Sequence, residues 1–382
     1  MRIGIDCRTI LNPGQGEGAG VGHYTHYLVK NLIEVDKKNE YVLFFDSSVT
    51  HLERFQRENT KIRQFPFSQY RRFLPFTYSH LLISAALNRE RLDLFHAPAN
   101  IIPLGYTRPA VVTVHDLAIY QNPAWFPTQI LSTRLLVPQS LKRAHAVIAV
   151  SESTAKDLRD LFNVPPTKLT VIHEGVDINP LPEPEPVNVV HKFNLPANYL
   201  FFVGTLEPRK NIVRLIQAYA DLRSRNASVG AIPLIIAGKK GWKSDEIFET
   251  IESLKIGDSV KYIGYITKNE KLALIKGARA FVFPSEYEGF GLPVLEALAL
   301  GTPVLTSNLS SLPEVTGGAA VMVDPEDTNA ILKGLDRIMF DEPLRQDLRA
   351  HGLEHVKRFT WEKVALRTIA LYEKVGARIR KR

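Results

Sequence analysis

Phe283-Pro284-Ser285-Glu286-Tyr287-Glu288-Gly289-Phe290-Gly291-Leu292-Pro293-Val294-Leu295-Glu296-Ala297 reads as the end of an apolar strand, a glycine-rich turn and the opening of a helix, with Pro293 suited to the first helical turn. Phe202-Val203-Gly204-Thr205-Leu206-Glu207-Pro208-Arg209-Lys210-Asn211 repeats the pattern. A strand that feeds a helix through a short turn is the building unit of a parallel sheet. Working outward, strand-like runs at 2–6, 41–46, 110–114 and 146–150 form one series. Runs at 199–204, 232–237, 259–263, 280–283 and 303–305 form a second. Between them, Pro180, Pro182, Pro184 and Pro186 deny backbone donors to any helix or central strand, which predicts a semi-rigid linker. The expected architecture is α/β, with domains at 1–180 and 190–360 on parallel sheets and a ligand cleft between them. The helical stretch 361–382 is free to pack on either domain, including back on the first.

The chain's 382 residues suffice for two ordinary domains, and a net charge of +8 is only moderately basic. With 45% apolar and 23% charged residues, a disordered, collagen-like or disulfide-rich chain is excluded. Cys7 is the only cysteine, so neither an intrachain disulfide nor a cysteine zinc site is possible. No apolar run approaches the roughly 20 residues that a membrane span needs, and Met1–Asp6 reads as a strand and not as a signal peptide. The expected location is cytoplasmic.

Four stretches carry chemistry. Gly14, Gly16, Gly18, Gly20 and Gly22 precede a helix opening at about Val21, where backbone N–H groups can approach an anion. A dinucleotide loop fails on spacing, because G-x-G-x-x-G would need glycine at His23 or Val21. Val111-Val112-Thr113-Val114-His115-Asp116 is a strand ending in an imidazole beside a carboxylate, able to position a hydroxyl or steady developing charge; the competing reading is a satisfied structural histidine. Arg209 and Lys210 set two cations at the positive end of a helix dipole, an arrangement that calls for an anion between them, and phosphate is the natural one. In the opening stretch, the turn's N–H groups can face a sugar or phosphate, Glu288 stands before the helix and Glu296 about one turn inside it. Two acceptors so placed could bond two different hydroxyl-bearing rings.

These segments, in this order, resemble the retaining glycosyltransferases of family 4, which have the GT-B fold of two Rossmann-like domains with parallel sheets facing a central cleft. The resemblance spans nearly the whole chain. It rests on Gly20-Val21-Gly22-His23-Tyr24, His115-Asp116, Val150-Ser151-Glu152-Ser153-Thr154, His173-Glu174-Gly175-Val176-Asp177, the segment Gly204 to Asn211, and Glu288 with Glu296 in the family's E-x7-E signature. It implies that Arg209 and Lys210 bind the donor diphosphate, and that Glu288 with the backbone of Gly289, Phe290, Gly291 and Leu292 holds the donor sugar. Glu296 would bind the ribose, Gly22 would approach phosphate or acceptor, and His115 would contact the donor sugar. Tyr262-Ile263-Gly264-Tyr265 matches where the family holds the base, with Tyr265 at the nucleotide. The 205–211 stretch looks most like that of bacterial mannosyl- and rhamnosyltransferases of polysaccharide assembly, so GDP-mannose is the favoured donor and a glycan or lipid-linked molecule the expected acceptor.

The sequence contains no Asp-x-Asp motif, so neither metal nor other cofactor is expected, and nothing points to nucleic acid. Retention would follow from attack on the face that the phosphate leaves, with Glu288 as a covalent nucleophile the other possibility. Competing enzyme readings are a glycoside hydrolase using Glu286 and Glu288 and a nucleotide-sugar epimerase; a non-catalytic sugar-nucleotide-binding module is the third. Between Arg54 and Arg91 eight basic and two acidic residues alternate with Phe65, Phe67, Tyr70, Phe73, Phe76, Leu81 and Leu82. This segment suggests peripheral contact with an anionic membrane surface, on the inner face of the cell membrane. The alternative is a helix and loop packed on their own domain with a solvated rim.

Overall fold

Most strands are short and apolar on both faces, as parallel strands covered by helices must be. β5 (Ala110–Val114) and β11 (Ala280–Phe283) are buried at every residue. The computed structural model describes residues 1–12, 20–66, 76–127, 131–177 and 186–381. The loop holding Gly14, Gly16 and Gly18 therefore lies outside the described residues, as do Phe67 to Pro75 and linker residues 178–185.

The first sheet also contains β1 (Arg2–Asp6), β2 (Glu40–Asp46), β3 (Thr60–Phe65), β4 (Leu94–Ala97), β6 (Ala146–Ala149) and β7 (Leu169–Val171), in the order β3-β2-β1-β4-β5-β6-β7. The second has β8 (Leu200–Val203), β9 (Leu234–Ala237), β10 (Val260–Tyr262), β11, β12 (Val304–Ser307) and β13 (Val321–Val323), in the order β10-β9-β8-β11-β12-β13. Every named pairing is parallel. The order reverses between β1 and β4 in one sheet and between β8 and β11 in the other. Loops leaving the strands there diverge and open a crevice at the strand ends. This is the two-sheet architecture of the GT-B fold.

Two units separate. One comprises Met1–Tyr120, Thr128–Gly175 and Trp361–Arg382, and the other Gln121–Pro127 and Val176–Thr360. In the first unit the Trp361–Arg380 helix is tied to the sheet by Tyr372, whose hydroxyl lies 2.6 Å from His96 Nδ1. His96 Nε2 meets Thr113 Oγ1 at 2.8 Å, and burial pushes the imidazole down to about 3, so it stays neutral. In the second unit, Gln121–Pro127 is held by Trp242, whose indole N–H donates to the Trp125 carbonyl.

Four strands had no clear signature in the sequence. β3 is an edge strand with charged residues on a half-exposed face. β4 carries a histidine, and β7 and β13 have three residues each, too few to show a period. Pro186 does not extend the linker; it opens a helix, Pro186–Lys192, where a missing N–H costs nothing.

In the 54–91 segment the charges are partly spent within the unit. Arg63 Nε lies 2.5 Å from Glu90 Oε1, and Arg2 lies 2.6 Å from Glu90 Oε2. Phe65 packs on the core beside Phe44, whereas Leu81 and Leu82 are exposed. Arg71, Arg72 and Phe73 lie outside the described residues. Among the described residues no helix is long and apolar enough to cross a membrane.

Candidate active site

In the second unit the site begins where β8 and β11, neighbours in the sheet, release their chains. After β8, Pro208–Lys210 forms a 3-10 turn, and Asn211 takes a left-handed conformation (φ 59°) before the Ile212–Arg225 helix. The Asn211 amide donates to the carbonyls of Pro284 (3.1 Å) and Pro325 (2.7 Å), which pins this turn to the chain leaving β11. Lys210 and Glu288 are thereby brought into a buried ion pair, each 7% exposed, so that neither charge can be satisfied by water. Arg209 reaches Glu288 Oε2 at 3.2 Å, donates to the Tyr287 carbonyl at 3.1 Å, and has its Nε 2.6 Å from Glu207.

One anion that answers the Arg-Lys pair is Glu288 itself. Burial by itself would raise the Glu288 carboxyl, but the Lys210 and Arg209 charges outweigh it and hold it below the usual glutamate range. The carboxylate is ionised.

The turn after Glu288 is fastened from β12. Glu288 N–H donates to Ser310 Oγ at 2.9 Å, and Ser311 Oγ donates to the carbonyls of Glu288 (3.0 Å) and Phe290 (2.7 Å). Gly291 has φ 106°, and a Cβ there would stand 2.8 Å from Leu312, so conformation and space both demand glycine. Phe290 is buried 6.0 Å from the Phe359 ring, which gives its side chain a packing role. Leu292 opens the helix Leu292–Ala299 that carries Glu296. Lys271 donates to Glu296 Oε1 at 2.7 Å, while Oε2 is buried and accepts no hydrogen bond. A buried acceptor of that kind is the feature a hydroxyl-bearing ligand would satisfy. Tyr265 is half-exposed after β10, with Lys239 Nζ 4.9 Å above its ring.

In the first unit, His115 leaves β5 with Nδ1 3.0 Å from Glu174 Oε1 and Nε2 2.7 Å from the Pro98 carbonyl. Its backbone N–H donates to Asn100 Oδ1 at 3.0 Å, and the Tyr24 ring stands edge-on at 4.6 Å. Asp116 caps the short helix that follows through Ala118 N–H. Gly22 sits inside the Gly20–Val35 helix, where a Cβ would stand 2.5 Å from the Thr9 carbonyl. Its lack of a side chain is used against the protein's own backbone.

Residues 18–180 match the model of glycosyltransferase family 4, and residues 187–355 that of the group 1 glycosyl transferases. The O-antigen chain mannosyltransferase B of Escherichia coli is 32% identical over 371 residues, covering 93% of this chain and 96% of that one. The chain is a family 4 glycosyltransferase. Solved structures agree on the fold. The sucrose-phosphate synthase of Thermosynechococcus elongatus superposes with a TM-score of 0.75 at 22% identity, covering 99% of each chain. Anabaena HepE, in complex with UDP-glucose, gives 0.74 at 17% identity, covering 98% of this chain and 100% of that one.

A transferase of this family takes its sugar from a nucleotide, and that displaces the hydrolase, epimerase and binding-module readings. The geometry agrees for the hydrolase. Glu286 pairs with Arg214 at 3.1 Å and lines a recess of about 310 Å³ with Glu207, Asn211, Lys243 and Glu246. Glu288 is held by Lys210 and Arg209, and its lowered pKa is the wrong sense for a general acid. Sequence reasoning missed Lys271, Lys239, Ser310, Ser311 and any role for Glu174. Each is a common polar residue that acquires meaning only through a neighbour remote in the chain.

Proposed function

We propose that this glycosyltransferase moves mannose from GDP-mannose, with retention and without a metal ion, onto a glycan or lipid-linked acceptor in polysaccharide assembly. The observation that carries the reading is the meeting of Arg209, Lys210 and Glu288 where β8 and β11 end. The choice of mannose is supported by the near-full-length likeness to a protein named as a mannosyltransferase.

Cleaving the bond from sugar carbon to diphosphate leaves negative charge on phosphate oxygens, so the reaction needs cations already in place. Glu288 and Glu207 hold Arg209 and Lys210 in place, and a diphosphate would join or replace these partners. Glu288 then holds the donor sugar from beside the phosphate. Glu296, oriented by Lys271, takes the ribose through its buried second oxygen, and Tyr265 with Lys239 lies at the base. The acceptor hydroxyl attacks on the face that the diphosphate leaves, and a phosphate oxygen takes its proton. Cytoplasmic residence with peripheral attachment through the exposed Leu81 and Leu82 suits a lipid-linked acceptor.

A thermal-shift panel of nucleotide sugars, followed by transfer assays on the responding donor with and without EDTA, tests this reading. A ligand at 100 times its dissociation constant adds about 2.7 kcal/mol of stability. GDP-mannose is expected to give the largest shift, and EDTA to leave most of the transfer. A response to UDP-glucose alone, or activity abolished by EDTA and restored by manganese, would overturn the donor or the metal-free assignment respectively.

A further inference from the structure

Beside the Arg209–Lys210 turn the second unit holds the recess of about 310 Å³, and none of Arg209, Lys210, Glu288 or Glu296 is among its lining residues. Its polar lining comes from the helices after β8 and β9 and from the chain leaving β11. Arg214 engages the protein through a single nitrogen: Nη1 donates to Asn211 Oδ1 (2.8 Å), the Pro325 carbonyl (2.9 Å) and Glu286 Oε1 (3.1 Å). Its Nη2 and Nε donate to nothing among the described residues. Gln217, three positions on and on the same helix face, has its whole side-chain amide unengaged there. From the neighbouring helix, Asp245–Ser253, Glu246 adds a carboxyl group with no partner among the described residues, and Glu286 keeps its second oxygen.

This set decides the chemistry of an occupant. Arg214 offers donors only, Glu246 and Glu286 offer acceptor oxygens, and Gln217 offers both. An anion would face three glutamates, Glu207 included, and a metal ion would face Arg214 and Lys243. Among the described residues no group of His, Cys, Asp or Glu side chains is placed to hold a metal ion. A neutral molecule whose neighbouring groups each donate and accept answers the whole set at once, and a sugar ring with its row of hydroxyls is such a molecule. The rest of the lining suits the C–H face of that ring: Pro208, Ile212, Val213 and Ile247 are apolar, with Ile212 and Ile247 buried. Two lining residues adjoin aromatic ones. Trp242 precedes Lys243 and Tyr287 follows Glu286, and Trp125 joins them, with its ring 6.3 Å from Tyr287 and its carbonyl accepting from the Trp242 indole. The volume stands at the low end of the range of about 300 to 1,000 Å³ for small-molecule sites, which is room for a single sugar unit.

We propose that this recess is a glycan subsite, which holds one neutral sugar unit of the chain being extended, apart from the donor. The proposal rests on the reading of the acceptor as a glycan. Arg214, Gln217, Glu246 and Glu286 bond the hydroxyls, and the apolar lining covers the ring. Such a subsite favours a long acceptor over a short one by raising its effective concentration, without touching the bond that breaks. Its signature is a KM that depends on acceptor length at constant kcat.

The test is calorimetric titration of the full-length protein with mannotriose and with maltotriose, in the absence and presence of GDP, together with steady-state transfer to short and long acceptors. Mannotriose is expected to bind with a dissociation constant of about 1 mM or below, and saturating GDP to leave that binding in place. Gln217→Ala with Glu246→Ala removes two exposed groups outside the donor machinery, so the circular dichroism should not change. In this variant mannotriose binding should weaken about tenfold, and KM for the long acceptor should rise by a similar factor while kcat and the donor KM hold. Glu246→Gln, which keeps an acceptor oxygen and loses the charge, should bind within about threefold of the wild type. Maltotriose binding in place of mannotriose would keep the subsite and move the glycan away from mannose. Absence of saturable binding of either trisaccharide to the wild type at about 20 mM would overturn the proposal. So would a folded double variant that binds as the wild type does, or displacement of mannotriose by inorganic phosphate. The titrations need neither donor nor turnover, so a different donor would leave the subsite standing, whereas an enzyme that transfers no sugar would remove the proposed function alone.

Discussion

Two buried carboxylates, Glu288 in the second unit and Glu174 in the first, are held in opposite ways. Glu288 shares its two oxygens between Lys210 and Arg209, long side chains whose charges any other anion can satisfy. Glu174 meets an imidazole whose second nitrogen is engaged by the Pro98 backbone, so that ring cannot turn without losing a bond. The ends of β8 and β11 thus hold their carboxylate through two long cationic side chains, whereas the end of β5 holds its ring between a carboxylate and a backbone carbonyl. On the proposed function, a leaving group that must arrive and depart suits the first arrangement.

The largest effect should come from unpairing the exchangeable site. Arg209→Ala with Lys210→Ala removes two charge-assisted hydrogen bonds of roughly 1.5 to 3 kcal/mol each, which predicts a loss of transfer of about 10² to 10⁴. The double variant should also lose stability, since Glu288 would be left buried with no cation beside it, at a cost of about 3 to 5 kcal/mol. Adding Glu288→Gln to the double variant should recover much of the stability and none of the activity. Denaturant midpoints unchanged between the two variants would break the comparison at its first term.

Next in size is Glu288→Gln alone, which should abolish most transfer while nucleotide affinity stays near normal. It also carries a pH signature. The folded-state pKa of Glu288 is depressed, so its contribution to stability is present above the unfolded pKa and is lost as pH falls through the folded one. Stability measured by urea unfolding from pH 7 to pH 3 should therefore decline less steeply in the variant. Equal slopes would mean that the Lys210 pair is not held as described.

The smallest expected effect is at Glu296, where removing an acceptor should weaken nucleotide binding about tenfold by calorimetry and leave turnover at saturation nearly intact. Lys271→Met should weaken binding less, because it loosens the carboxylate without removing it. A kcat effect at Glu296 larger than that at Glu288 would exchange the two roles.

How much of this could be read in advance depends on how local each feature is. The strand-turn-helix units around 202–211 and 283–297 declare themselves within about a dozen residues, because apolar runs, a glycine turn and a first-turn proline are local requirements. Gly291 belongs to the same class, since a positive φ is imposed by the turn itself. β4 and β7 did not announce themselves, and it is their ends that bring Pro98 and Glu174 to His115.

By itself, then, the amino-acid sequence determined two parallel-sheet units and the residue types of the site: a cation pair, two glutamates eight positions apart and a strand-end histidine. Only the tertiary structure decided which charge answers which. Arg209 and Lys210 find Glu288 because β8 and β11 are neighbours at the point where the strand order reverses, although 78 residues separate Lys210 from Glu288. Lys271 finds Glu296 across 25 residues, and His115 finds Glu174 across 59. Hydrogen bonds and ion pairs act over a few ångströms of space, and separation along the chain says nothing of that distance until the sheet order is set.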